Sequence, residues 1–108
     1  MILLKENFSN KRIGEFKQFY KDNELVIYEV KQPYADGGGN TIWYEIFKYR
    51  VKEKDRFHDD EWEVYPNDEE FGNYAWACTT IGSVDKILKQ RFPNHPITKG
   101  EIKLDFWV

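Results

Sequence analysis

The sequence predicts a small α+β domain, a mostly antiparallel sheet of four or five strands packed with one or two helices (83–92 and 10–21). Three observations carry this. Two runs rich in β-branched and aromatic residues, Leu25–Val30 and Thr41–Phe47, flank the bend Asp36-Gly37-Gly38-Gly39-Asn40. Such residues suit a pleated surface, and glycines accept the positive φ values of a tight reversal. Val84, Ile87, Leu88 and Phe92 recur at helical spacing between Ser83 and Pro93, which reads as a helix with both ends marked. The tail alternates Ile102, Leu104 and Phe106 with charged residues, the pattern of a half-buried strand. At 108 residues the chain fits one domain, large enough to bury roughly 65% of its unfolded surface.

Taken in order, residues 10–21 place Ile13, Phe16, Phe19 and Tyr20 on one side of a helix, with Ser9 or Asn10 as cap and Asp22-Asn23 at its close. Gly14 costs that helix about 1 kcal/mol relative to alanine. A strand over 24–32 points Val26, Tyr28 and Val30 one way and Leu25, Ile27 and Glu29 the other. A second over 41–52 points Trp43, Glu45, Phe47, Tyr49 and Val51 one way, and Ile42, Tyr44 and Ile46 followed by Lys48, Arg50 and Lys52 the other. Strands apolar on both faces belong inside a sheet. Residues 53–61 read as a charged loop and Trp62–Tyr65 as a short strand ended by Pro66. Asn67–Gly72 reads as a turn that Asp68 can cap, with Phe71 folded back. Residues 74–80 read as a strand with a large face (Tyr74, Trp76, Cys78) and a small one (Ala75, Ala77, Thr79), the small one inviting a helix. Ser83 is the expected cap of the helix over 83–92, and 101–108 the expected last strand.

The net charge of −3 conceals an uneven distribution. Residues 53–70 hold nine acids and two bases, a net −7, whereas the remainder holds 14 bases and 10 acids, a net +4. Two readings stand: a solvated connection, or an acidic surface that attracts a basic partner. No apolar run approaches the roughly 20 residues that cross a bilayer as a helix. Met1–Glu6 is too short and too soon charged for a secretory signal. The single cysteine, Cys78, forms no internal disulfide, and a cytoplasmic location is expected.

Chemistry-bearing constellations are sparse. His58-Asp59-Asp60 with Glu61 and Glu63 lacks the alternation and glycine of a calcium loop. His58, His95 and Cys78 are few for zinc. Cys78 between Ala77 and Thr79 reads as a small buried hydrophobe rather than a nucleophile. Gly37-Gly38-Gly39 leads into a strand and not into the Gly-Lys-Ser/Thr and helix of a phosphate loop. No cofactor, metal or catalytic set is expected. Lys48, Arg50 and Lys52, with Tyr44 on the same face, raise a nucleic-acid reading in which cations meet phosphates and rings stack on bases. Against it stand the acidic total and the missing glycine-aromatic signature of RNA-binding sheets. The nineteen aromatic residues suggest a ring-built core, and any rings left outside beside acids would form a protein contact.

The segments Trp43-Tyr44-Glu45-Ile46-Phe47 and Tyr65-Pro66-Asn67-Asp68-Glu69-Glu70-Phe71-Gly72-Asn73-Tyr74-Ala75-Trp76, followed by the helix at 83–92, resemble a pattern in short uncharacterised proteins of phages and mobile elements. The resemblance covers about the middle half of the chain. It implies an accessory protein aimed at host or viral proteins, and it transfers no mechanism. The expected function is therefore a non-enzymatic binding module. Its candidate protein-binding residues are Asp59, Asp60, Glu61, Trp62, Glu63, Asp68, Glu69 and Glu70. The alternative is a single-stranded nucleic-acid binder using Tyr44, Lys48, Arg50 and Lys52.

Overall fold

The computed structural model describes residues 1–10, 13–33, 37–57 and 59–102. Its centre is a five-stranded antiparallel sheet in the order β1 (Asn7–Asn10), β2 (Gly14–Lys21), β3 (Leu25–Pro33), β4 (Asn40–Lys48) and β7 (Ala75–Cys78). Between β4 and β7 the chain forms a small second sheet from β5 (Val51–Lys52) and β6 (Trp62–Glu63), then a 3-10 turn at Asp68–Glu70. One helix, α1 (Ile81–Arg91), follows β7. This is the small α+β class that the sequence predicts. No helix among the described residues is long and apolar enough to cross a membrane.

The β3–β4 hairpin runs in unbroken register from Leu25↔Lys48 to Pro33↔Asn40. Gly37 and Gly39 hold φ values of 75° and 147°, which side chains with a Cβ avoid. Alternation then sorts the strands into two cores. Leu25, Ile27 and Ile46 face α1 and pack with Trp76, Cys78, Val84, Leu88, Phe92 and Ile97. Val26, Tyr28, Val30 and Phe47 face the other way and pack with Phe16 and Ala75. Phe8, Phe16, Tyr28, Phe47 and Tyr65 form one ring cluster on that second face, with Phe8 stacked on Phe16 at 4.4 Å and Tyr65 edge-on to Phe47 at 5.5 Å. Most of the aromatic surplus is thus core.

Several expectations give way. Residues 14–21 are a strand and not part of a helix over 10–21. Ile13 and Phe16 join one core whereas Phe19 and Tyr20 join the other. A register shift between Gln18 and Tyr20 switches the alternation, so two half-stripes on opposite faces imitate one helical stripe. The strand expected over 41–52 breaks at Tyr49-Arg50: the Tyr49 N–H donates to Glu24 O, and Val51 leaves to pair with Glu63. Helix α1 lies on the large face of β7, where Trp76 and Cys78 interlock with Val84 and Leu88. The small face instead places Ala75 in the cluster that Tyr65 and Phe71 join. Thr80, not Ser83, caps α1, accepting the Ser83 N–H at 3.0 Å. Asn67, not Asp68, caps the 3-10 turn, in a capping box with Glu70. Of the last expected strand, Glu101 and Ile102 form a bend, with Ile102 packed on the helix-side core. Residues 103–108 lie outside the described residues.

Candidate interaction surface

The acidic run is divided by the fold into engaged and exposed carboxylates. Glu63 sits on β6 and faces inward, 7% exposed. It accepts from Lys21 Nζ and from the Leu4 N–H, each at 2.7 Å. Burial pushes its carboxyl upward, but the bonds from Lys21, Tyr49 and Leu4 outweigh burial and hold it below the ordinary value. Glu70 pairs with Arg50, which lowers its pKa, and also closes the capping box. Asp60 accepts from the Met1 amino group at 2.7 Å, which lowers its pKa in the same way. Glu53, Asp55, Asp59, Glu61, Asp68 and Glu69 remain exposed, Asp55 accepting the Phe57 N–H within its own loop.

Trp62 belongs to a different kind of surface. Ile2 bridges Trp62 in parallel: the Ile2 N–H donates to Glu61 O and the Glu63 N–H donates to Ile2 O. Lys52 pairs with Trp62 from the other side. Partners directly opposite share a face, so Ile2, Trp62 and Lys52 form one row on the outer side of the small sheet, opposite the side on which Glu63 is anchored. The loop joining β5 to β6 carries Phe57, with the Arg56 guanidinium 4.7 Å from its ring centre. Phe57 is 75% exposed and Ile2 59%. Among the described residues the exposed large apolar side chains are Met1, Ile2, Leu3, Ile42, Val51, Phe57 and Tyr74. All but Ile42 and Tyr74 lie on this hairpin or on the segment beside it. Val51 pairs with Glu63 and so shares the Glu63 side instead. Sequence reading finds Trp62 here and misses Ile2, because the bridge from Ile2 spans sixty positions and leaves no periodic signal.

The basic set is also redistributed. Lys48 closes β4, Arg50 lies in the break and Lys52 lies on β5, so the three form no single row. Lys48 Nζ and the Arg50 guanidinium stand 5.6 and 5.1 Å from the Tyr74 ring centre. The Arg91 guanidinium covers Trp76 at 5.3 Å. A cleft of about 480 Å³ is lined by Lys48, Arg91 and Asn94 together with Glu24. Tyr44 is half-buried beside Phe19, on the α1 side of the sheet.

Two polar networks, each with one buried member, have no counterpart in the sequence reading. Asp22 follows β2 and takes four donors. Its Oδ1 accepts the Glu24 and Leu25 N–H groups at 2.7 and 2.9 Å, and its Oδ2 accepts Tyr20 OH and His95 Nε2, both at 2.6 Å. Because the Ile97 N–H donates to His95 Nδ1 at 3.1 Å, the imidazole proton lies on Nε2. Burial pushes the Asp22 carboxyl up, but the bonds from Tyr20, Leu25, Glu24 and His95 hold it below its usual value. Burial first and the bond to Asp22 second raise Tyr20 to about 12. On the opposite face, Glu45 is buried and accepts from Tyr65 OH and from Trp43 Nε1, the latter at 3.2 Å. Burial raises its pKa in spite of both bonds. Burial likewise raises the Cys78 thiol, which makes it a poor nucleophile. Among the described residues no three His, Cys, Asp or Glu side chains are placed to hold a metal ion, and His58 lies outside those residues.

No protein-family model matches the chain, and no curated protein or solved structure shows significant similarity to it.

Proposed function

We propose that this chain is a non-enzymatic accessory module of the cytoplasm that docks another protein through the outer face of its small sheet. The observation that carries the reading is the row Ile2–Trp62–Lys52 on the outer face of the small sheet, with Ile2 exposed, and the exposed Phe57 and Asp59 on the loop of the same hairpin. An apolar centre with a charged rim is the anatomy of a protein contact. The exposed carboxylates favour a partner that presents cations. The resemblance to short proteins of phages and mobile elements agrees with an accessory role. The polar networks support it from the other side: both nitrogens of His95 are occupied, one by Asp22 across the fold and the other by the Ile97 N–H two residues on. The test places a photo-crosslinking residue at position 57 and another at Ile42, on the main sheet. Crosslinks to one protein from position 57 alone, lost on Ile2→Asp, support the reading. Equal labelling from both positions overturns it.

A second reading, single-stranded nucleic-acid binding, is favoured by the cations gathered over Tyr74 and Trp76. Those cations already cover the rings on which bases would stack, and Arg50 is engaged with Glu70. A mobility shift with single-stranded RNA and DNA at low salt separates the two readings, and no shift removes this one.

A further inference from the structure

We infer that the open edge of the main sheet, strand β1, pairs with β1 of a second copy of the chain, an inference separate from the docking surface proposed above. Strand β1 ends the sheet order, and among the described residues no strand lies beyond it. Its register with β2 fixes which backbone groups are free. The Gln18 N–H donates to Glu6 O at 2.6 Å, and Phe8↔Phe16 stands two residues along the same ladder. Bonded and unbonded pairs alternate in an antiparallel ladder. The N–H and C=O of Phe8 therefore face β2, whereas those of Asn7 and Ser9 point away from it. Charges, prolines and bulges blunt an edge, and Asn7-Phe8-Ser9-Asn10, in unbroken register, holds none of them. The other edge of the sheet is partly taken, since Ala75 O accepts the Gly72 N–H at 2.6 Å.

A two-fold axis normal to the sheet beside Phe8 sets Asn7 against Ser9 of the second copy, and Ser9 against its Asn7. This is the antiparallel register in which every free group of both residues finds a partner. Such an axis keeps each face with its like. Phe8, stacked on Phe16 at 4.4 Å, meets Phe8 of the second copy on the ring-cluster side. The pair extends a cross-strand row that already runs through Phe16 and Val30. Asn7 and Ser9, opposite Lys17 and Glu15, meet on the α1 side. The surface beside the edge is shaped for this sorting. Two clefts flank β1, both lined by Phe8 and Ser9. One, of about 350 Å³, adds Leu3 and Leu4, with Lys5 and Glu63. The other, of about 360 Å³, adds Glu15 and Glu29 with Lys17 and Lys31. A strand added at an edge is held by backbone bonds and selected by its alternate side chains. Here it must offer an apolar side chain to the first cleft. In the second the acids and bases cancel, which favours neutral polar side chains over either sign. Phe8 between Asn7 and Ser9 supplies that sequence, so a second β1 matches the edge in side chains as well as in backbone.

Sedimentation equilibrium of the whole chain across a range of concentrations tests the inference. The wild-type chain is expected to self-associate reversibly. Ser9→Pro removes an outward N–H and leaves the β1–β2 ladder its donors. It is expected to weaken association at least roughly tenfold, with an unchanged circular-dichroism spectrum. Thiol pairing tests the register without relying on that variant, the native Cys78 being buried. Chains carrying Asn7→Cys are mixed with chains carrying Ser9→Cys under mild oxidation. The mixture is expected to form a disulfide-linked heterodimer faster than either variant links to itself, because residues opposite in a ladder stand about 5.5 Å apart between Cα atoms, within disulfide reach. A wild-type chain that stays monomeric at all concentrations overturns the inference. So does a dimer that Ser9→Pro leaves intact, or a mixture that links no faster than its components. A monomeric chain that captures a different protein from a photo-crosslinker at position 7 refutes the second copy in favour of a foreign strand. None of these outcomes bears on crosslinking from position 57, so the two surfaces stand or fall separately.

Discussion

Replacing Asp22 by Asn tests the bond network that joins the β2–β3 turn to the segment after α1. The substitution keeps size and shape but turns one acceptor oxygen into an N–H donor. If the amide nitrogen takes the place of Oδ2, it faces Tyr20 OH and His95 Nε2–H, both donors. If it takes the place of Oδ1, it faces the Glu24 and Leu25 N–H groups. Either orientation leaves two donors without an acceptor. A bond to a charged acceptor contributes about 1.5–3 kcal/mol, and a buried donor left unpaired costs about 1–3 kcal/mol. Tyr20 recovers part of this by rotating its hydroxyl to accept from the amide, whereas His95, 2% exposed, finds no water. The expected loss is therefore ~2–4 kcal/mol, a large share of the ~5–15 kcal/mol that holds a domain together. Urea unfolding followed by tryptophan fluorescence measures it, and a double-mutant cycle with His95→Ala isolates the pair. A coupling energy above ~1 kcal/mol is expected. Additivity within about 0.3 kcal/mol would mean that the two groups do not interact in solution, and the account of how the C-terminal segment is anchored would fail.

Gly14→Ala should lower stability by more than ~2 kcal/mol in the same assay, because φ is +141° and an added Cβ would stand 2.3 Å from Lys31 O, a backbone atom that cannot swing aside. A midpoint equal to wild type would show that the β1–β2 turn adopts another form. Glu45→Gln should stay within about 1 kcal/mol of wild type at pH 7, since the amide can accept from Trp43 and donate to Tyr65 while removing a buried charge. A loss of several kcal/mol would show the carboxylate to be essential. The pH dependence has two limbs of opposite sign. The Glu45 carboxyl is raised in the fold, so as pH falls from neutral it protonates in the folded state first and stability rises. Asp22 and Glu63 are depressed, so their contribution is complete above about pH 4 and is lost as pH falls below that through their folded values. Denaturant midpoints from pH 7 to 2 should rise slightly and then fall, and Glu45→Gln should abolish the rise alone.

What the sequence made legible is what near neighbours decide. Leu25–Val30 and Thr41–Phe47 are dense in β-branched and aromatic residues around a glycine bend, so the hairpin and the sorting of its two faces follow from local pattern. The same logic misreads Phe16–Tyr20, where one bulge residue converts a period of two into a spacing that mimics a helix. It misreads 48–52 because the strand leaves the main sheet after Tyr49, where Arg50 O accepts the Val64 N–H and Val51 pairs with Glu63, partners twelve or more residues away. It assigns the helix to the wrong face of β7, since small side chains invite close approach but Trp76 and Cys78 fit between Val84 and Leu88. The pairs Lys21–Glu63 and Asp22–His95 join residues 42 and 73 positions apart, beyond the reach of any periodicity. The candidate surface was half legible: Trp62 and its acids stand out by composition, while Ile2 arrives only through the fold.

The acidic run shows why net charge in a segment is a poor guide to a surface. Glu61 and Glu63 are two positions apart and look equivalent in sequence, yet the fold engages the side chain of one and leaves the other in solvent, Glu61 meeting Ile2 only through its backbone carbonyl. Glu63 is nearly buried and holds Lys21 and the Leu4 N–H. Its neutralisation by Glu63→Gln leaves the Lys21 cation without a counter-charge. Lys21 keeps partial access to water, which limits the loss to ~1–3 kcal/mol. Glu61→Gln removes an exposed charge and should change stability by less than about 0.5 kcal/mol. Unfolding midpoints of the two variants should therefore separate, with Glu63→Gln below Glu61→Gln. Two variants with equal midpoints would mean that Lys21 and the Leu4 N–H do not engage Glu63 in solution, and the division of the acidic run would have no basis.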